Sequence, residues 1–189
     1  MSNNAPFWNS TDVEPKRNYR FLVTIGDTNG TTVKGDAWWA KTCDAPSFDV
    51  SEVEHNFYDN KYYYPGRVTW NEINMTVVDP KSINVAYALN KIISDSQYNI
   101  KGNATGPLTS ISKASANTGL GTITIFVYDS EGTVIEKWSL QNAFLKSVKF
   151  GTLDYSNDEL RQLDMTIRYD WCKISTDDSD SDVLHAPVG

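Results

Sequence analysis

Histidine and cysteine are nearly missing from this chain, with two of each in 189 residues. His55 lies in a polar, strand-like segment and His185 near the C-terminus, so a histidine-based triad or a multi-histidine metal site has almost no material. Cys43 and Cys172 make no CxxC pair. They are too few for a disulfide framework and read as two buried thiols. P-loop, GxGxxG and GxSxG patterns are absent, and Gly119-Leu120-Gly121 reads as the entrance to a strand. Nucleotide chemistry is unsupported and no cofactor is expected. There is no charge-free apolar run of the length a membrane span needs. Met1 to Arg17 lacks the basic stretch and apolar core of a signal peptide, which predicts a protein that stays in a cytoplasm.

Positive charge is also short. The net charge is −7, and Asp177, Asp178, Asp180 and Asp182 follow Ser175 with no Lys or Arg among them, which leaves about −3 on residues 1–174. A chain that grips phosphates shows the opposite balance. Asp178-Ser179-Asp180-Ser181-Asp182 has the spacing with which some calcium loops begin, but lacks their glycine and distal glutamate, so it reads as a solvated acidic tail. Glu52, Glu54 and Glu72 are carboxylates that could meet in space as a glycosidase pair, although nothing in their spacing demands it.

What the chain does have is β pattern. Leu163, Met165, Ile167, Tyr169 and Trp171 alternate with Gln162, Asp164, Thr166, Arg168 and Asp170, which predicts one long strand with a buried and a polar face. Tyr19 to Ile25, Ile73 to Val77 and Ile123 to Val127 repeat the alternation, and one-sided alternation favours antiparallel or mixed sheets. Asp36 to Thr42 and Phe48 to Phe57 are further strands parted by Ala45-Pro46, and Asp129 to Gly132 is a hairpin turn into Thr133 to Leu140, with Phe144 to Phe150 beyond. One helix stands out: Asp79 as N-cap, Pro80 in the first position, and Val85, Ala86, Leu89, Ile92 and Ile93 as an apolar stripe to lay on a sheet. The expected organisation is an arm over 1–17, one β domain over 18–174 with a long loop or insertion at 98–119, and an acidic tail over 175–189. The fold class is mainly β, an antiparallel or mixed sandwich or barrel with a flanking helix.

Two aromatic clusters are candidate contact sites. Trp38 and Trp39 occupy adjacent strand positions and point to opposite faces. Tyr62-Tyr63-Tyr64, followed by Pro65-Gly66-Arg67, falls in a predicted loop between strands. It reads as a loop packed on its own core, as an aromatic loop docking on a neighbouring subunit, or as a sugar-stacking platform.

In order along the chain, these segments resemble phage tail tube proteins of contractile tails, whose fold is shared with tube proteins of type VI secretion systems and R-type pyocins. Pro15 to Val23 looks like the family's entry into its first strand, Lys41 to Pro46 like its second, and Trp70 to Val78 with Asp79 like its middle strand and helix start. Leu153 to Leu160, then the alternating strand closing on Tyr169-Asp170-Trp171, is the strongest piece. The resemblance implies hexameric rings of this chain, stacked into a hollow tube that conducts DNA, with sheath, baseplate and tail terminator proteins as partners, no stable membrane association and no enzymatic role. It places the protein in a virion tail assembled in the host cytoplasm. It further implies that the segment Glu54 to Val68, with its tyrosines, is a loop or hairpin that contacts the adjacent ring. Interface candidates are thus Trp38, Trp39, Phe57, Tyr62, Tyr63, Tyr64 and Arg67, and candidate lumen residues are Gln162, Asp164, Thr166, Arg168 and Asp170. Two alternatives stay open: a tube-initiating baseplate ring or secretion-system tube subunit within the same class, and a carbohydrate-binding β-sandwich outside it.

Overall fold

A computed structural model describes residues 15–26, 40–81, 84–98, 110–156 and 158–176. Trp38, Trp39, His185, most of the expected N-terminal arm, residues 99–109 and the acidic run lie outside them.

The alternating segments pair as antiparallel ladders in two four-stranded sheets. The first holds β1 (Phe21–Gly26), β6 (Thr122–Tyr128), β7 (Val134–Gln141) and β10 (Trp171–Ser175), in the order β1-β6-β7-β10. The second holds β2 (Ala40–Cys43), β5 (Ile73–Val78), β9 (Gln162–Arg168) and β8 (Phe144–Lys149), in the order β2-β5-β9-β8. Each sheet turns its apolar face to a common core. Val23, Ile25, Ile123, Ile125 and Leu140 come from one side and Ile73, Met75, Val77, Leu163, Met165 and Ile167 from the other. A separate two-stranded sheet, β3 (Phe48–Phe57) with β4 (Asn60–Trp70), extends from this body.

The strand expected over 162–171 is two strands in different sheets. The alternation holds through Leu163, Met165, Ile167 and Tyr169, all buried, and then breaks: Trp171 is half-buried while its neighbour Cys172 is buried. The chain leaves the second sheet at Asp170, whose amide donates to the Gln141 carbonyl at 3.1 Å, and continues as β10 on the edge of the first sheet. Period-two patterning cannot detect such a crossing, because both halves keep an apolar side chain every second residue on their own core face.

The helix also begins later than expected, as α1 (Val85–Asp95). Asn84, not Asp79, is the N-cap, accepting from the Tyr87 amide at 2.8 Å. Asp79 still serves this terminus, since its Oδ1 accepts from the Val85 amide at 3.0 Å and its Oδ2 faces Arg161 at 3.5 Å. Val85, Leu89 and Ile92 bury the predicted stripe. Within the stretch expected as a loop, a second helix, α2 (Lys113–Leu120), starts at a Ser112/Ser115 capping box. Only Ala116 and Leu120 of it are buried, so its amphipathic signal is faint. Gly119 lets the two helices touch: a Cβ there would sit 2.9 Å from the Ile92 carbonyl oxygen and 2.6 Å from Ser96 Oγ.

Two outcomes follow. Leu163→Ala, at a site with no exposed surface, lowers the unfolding free energy by about 2–5 kcal/mol in urea titration, whereas Asp164→Ala on the opposite face changes it by less than about 1 kcal/mol. Asp170 has its pKa lowered, chiefly by the hydrogen bond from Lys113 Nζ, with Asn142 adding a second at 2.8 Å. Its contribution to stability is full above the ordinary carboxylate value of about 3.9 and is lost as pH falls through the lower folded value. Asp170→Asn therefore flattens the loss of thermal midpoint on acidification below that value, while lowering the midpoint at neutral pH.

Candidate assembly surface

The β3–β4 hairpin projects about 33 Å if ten residues are fully extended, and every residue from Phe48 to Thr69 is exposed. Its register sorts the side chains onto two faces. One carries Phe48, Val50, Val68 and Trp70 near the root, then Pro65 and Tyr63 with Glu52 and Glu54. The other carries Val53 opposite Tyr64, His55 opposite Tyr62, and Phe57 at the far end. An isolated two-stranded ribbon is marginal in water, and apolar groups on both faces gain nothing from their own fold when both are wet.

The root explains how such a ribbon keeps its direction. Trp70 packs edge-on against Phe48 at 5.2 Å between centroids and against buried Tyr169 at 6.0 Å, so rings connect the hairpin to the core. The Asn71 amide donates to the Ser47 carbonyl at 2.9 Å, and Asn71 Nδ2 to Asp49 Oδ2 at 2.9 Å. The Tyr169 hydroxyl is buried among the described residues without a hydrogen-bond partner, and burial pushes its pKa up to about 12. Higher up, a bulge sets Gly66 and Arg67 against the single residue Ser51, whose Oγ accepts from the Arg67 amide at 2.8 Å. A Cβ on Gly66 would lie 2.3 Å from that Oγ and 3.0 Å from the Ser51 carbonyl oxygen, so any side chain here would have to break the Ser51 contact to Arg67 and crowd the partner strand. At the tip Tyr58 has φ 52 and stacks edge-on against Phe57 at 4.7 Å. A bulky residue in this conformation marks a strained two-residue turn.

The predicted interface residues thus separate. Phe57, Tyr62 and Tyr64 share one face, Tyr63 lies on the other, and Arg67 sits in the bulge. The tyrosines belong to a strand, not to the loop expected for them, and they do not pack on their own core. Val50, Val53, Tyr58 and Val68 join the exposed apolar set without having been singled out. The signal was present as valines spaced through a segment otherwise too polar to be core.

The polar face of the second sheet forms a distinct surface. Gln162, Asp164, Thr166 and Arg168 share the outward side of β9 with Asn74 and Thr76 of β5. Thr76 Oγ1 donates to Asp164 Oδ1 at 2.8 Å and Thr166 Oγ1 to Asn74 Oδ1 at 3.1 Å. Glu72 takes Lys146 at 2.5 Å and faces Arg168 at 3.9 Å. Asp170 is not part of this face; it lies in the turn between β9 and β10, paired with Lys113 of α2. The surface therefore mixes both signs, with Glu72 and Asp164 against Lys146, Lys149 and Arg168.

Reactive groups are scarce. Burial pushes both thiols up to about 12, with Asp44 adding to the effect at Cys43. Cys172 is buried, while Cys43 is only half-buried, against the expectation of two buried thiols. Among the described residues no three His, Cys, Asp or Glu side chains gather to hold a metal, and no helix is long and apolar enough to cross a membrane.

No family model and no curated protein matches the chain. Solved structures do. A chain in the cryo-EM structure of the anti-feeding prophage cap, its tube terminating cap, superposes with TM-score 0.63 at 20% identity, over 93% of this chain and 99% of that one. A chain from the sheath/tube terminator of the extracellular contractile injection system PVC gives 0.60 at 17%, over 87% and 99%. A third, from the six-fold symmetrised anti-feeding prophage baseplate, gives 0.60 at 12%, over 87% and 97%. Identities this low carry fold alone, and at that level they uphold the resemblance read from the motifs: the chain has the β-sandwich fold found among the components of contractile injection systems.

Proposed function

We propose that this chain is a structural, non-enzymatic subunit of a contractile, phage-like injection apparatus, and that its copies form a ring at an end of the tube. The observation that carries this reading is the β3–β4 hairpin, whose two apolar faces have no cover among the described residues. A ring stacked on another of its kind, or on the first ring of a tube, supplies that cover. Among the described residues, β1 and β10 of one sheet and β2 and β8 of the other are edge strands, with a side available for joining subunits side by side. A closed ring uses such edges up without leaving a free end to propagate.

The end-of-tube position is supported by the structures just compared, which are described as a cap, a terminator and a baseplate. A second reading, a repeating tube subunit, is supported by a chain from the PVC sheath-tube complex at TM-score 0.53 and 19% identity. In either reading six copies surround a channel, sheath and baseplate proteins are neighbours, and the protein resides in the tail-like particle. We place Gln162, Asp164, Thr166 and Arg168 on the channel wall. Its mixed charge suits passage of a polyanion, since a uniformly basic wall would hold phosphates by counterion release.

Negative-stain images of purified protein test the reading. Discrete rings with an open centre are the expected outcome; long uniform tubes favour the repeating subunit, and monomers that bind glycans overturn both. The Tyr62→Ser/Tyr64→Ser variant removes two aromatic groups from one hairpin face. Its thermal midpoint stays within the shift expected of about 0.5 kcal/mol for surface sites, while ring stacking weakens at least about tenfold, as loss of interface anchors costing about 2 kcal/mol requires. Stacking at wild-type yield would remove the hairpin from the interface.

A further inference from the structure

Among the described residues, large apolar side chains left in water gather in two places, and the β3–β4 hairpin is only one of them. The other is the connection from β8 to β9, where every described residue of 150–161 is exposed. Leu153 and Leu160 keep 79% and 72% of their surface in water, and Phe150 and Tyr155 are exposed with them. Scattered apolar residues on a surface are ordinary, but four in one short segment gain nothing from the chain's own fold. The segment is nonetheless held in shape. Asp154 Oδ1 accepts from the Ser156 amide at 2.9 Å and from Ser156 Oγ at 2.8 Å. At its far end the Asp79 amide donates to the Arg161 carbonyl at 3.1 Å, and Arg161 Nη1 faces Asp79 Oδ2 at 3.5 Å.

The two surfaces lie at opposite ends of the second sheet. β4 passes into β5 through Asn71 and Glu72, so the hairpin root is at the Ile73 end, where Ile73 pairs with Ile167. The β8–β9 loop runs into Gln162, which pairs with Val78 at the other end of β5, six residues or roughly 20 Å away. Their chemistries are reciprocal. The hairpin face of Val53, His55, Phe57, Asn60, Tyr62 and Tyr64 holds no carboxylate and offers phenol hydroxyls among its apolar groups. The loop sets the carboxylates of Asp154 and Asp158 among its own. Hydroxyls donate to carboxylates in short, charge-assisted bonds. The opposite hairpin face carries Glu52 and Glu54, whose like charge opposes the loop.

We infer that the β8–β9 loop of one copy is the seat for the hairpin of a second copy, with Leu153, Tyr155 and Leu160 covering the face that holds Phe57, Tyr62 and Tyr64. The inference rests on the reading that copies of this chain stack, and it gives the stack a direction. Hairpin end meets loop end, a heterologous contact between two different patches. Two hairpins facing each other would instead make an isologous contact and leave the loop bare.

The test uses the full-length chain with photoreactive benzoylphenylalanine in place of Tyr64, mixed from natural-isotope and nitrogen-15 protein, irradiated and read by mass spectrometry. Expected are isotopically mixed bonds to peptides from residues 150–161, several-fold more frequent than bonds to any other segment. The same group in place of Tyr63, on the opposite face, gives several-fold fewer of them. The Leu153→Ser/Tyr155→Ser variant, altered only at exposed positions, keeps its thermal midpoint and weakens ring stacking about tenfold or more, as Tyr62→Ser/Tyr64→Ser does. Rings of the two variants mixed together stack in pairs again, because each supplies the surface that the other lacks. Variant rings that stay apart in the mixture would overturn the docking. So would bonds from position 64 to another hairpin, or bonds spread evenly over the chain. Rings whose bonds fall outside residues 150–161 keep the ring and remove the docking, whereas mixed bonds to that loop in protein that forms no rings keep the docking and remove the ring.

Discussion

The buried column of β9 is the constraint on which the rest depends. Leu163, Met165 and Ile167 sit in the middle of the second sheet, paired on one side with β5 and on the other with β8, and each is almost fully removed from water. Because the side-chain period of a strand is two, their burial forces Gln162, Asp164, Thr166 and Arg168 outward. A slip of one residue would bury two charges and expose three core side chains. The polar face that we place on the channel wall is thus the reverse side of the core.

The same column reaches the hairpin. Tyr169 is the last buried residue before the chain crosses sheets, and Trp70 at the end of β4 packs on its ring. Phe48 packs in turn on Trp70. The ribbon that offers its faces to a partner is therefore anchored where the core's central strand ends. The contacts of Tyr169 with Trp70 and of Trp70 with Phe48 tie the hairpin root to the core. Among the described residues the thiols are driven toward the neutral form, and ion pairs such as Lys61 with Glu54 and Lys146 with Glu72 lie at the surface, where each contributes little on its own.

Much of this was legible in the sequence. The alternating segments became β1, β5, β6 and β9 with the predicted faces inward, except that Tyr19 lies in a turn before β1 and is exposed; the Asp129 turn joined β6 to β7, and Val85, Leu89 and Ile92 became the buried stripe of α1. In that turn Asp129 Oδ1 accepts from the Glu131 and Thr133 amides, local chemistry that sequence reading captures well. The exceptions were long-range. Asp79 caps α1 from a distance, α2 is held by its capping box and by close approach to α1, and Asp170 leaves the β9 face to pair with Lys113.

The sequence by itself determined that β-strands with one apolar face dominate and that catalytic groups are scarce, because periodicity and composition are properties of consecutive residues. Only the tertiary structure decided that the tyrosines lie on a bare two-stranded ribbon, with Tyr62 and Tyr64 on one face and Tyr63 on the other. Strand alternation separates Tyr63 from its neighbours, the bulge at Ser51 and Gly66 decides that Tyr63 and not Tyr62 or Tyr64 shares a face with Val68 and Trp70, and the crossing at Asp170 sends the last strand to the other sheet. Both depend on which strand lies beside which, and strand neighbourhood is settled by packing between residues far apart in the chain.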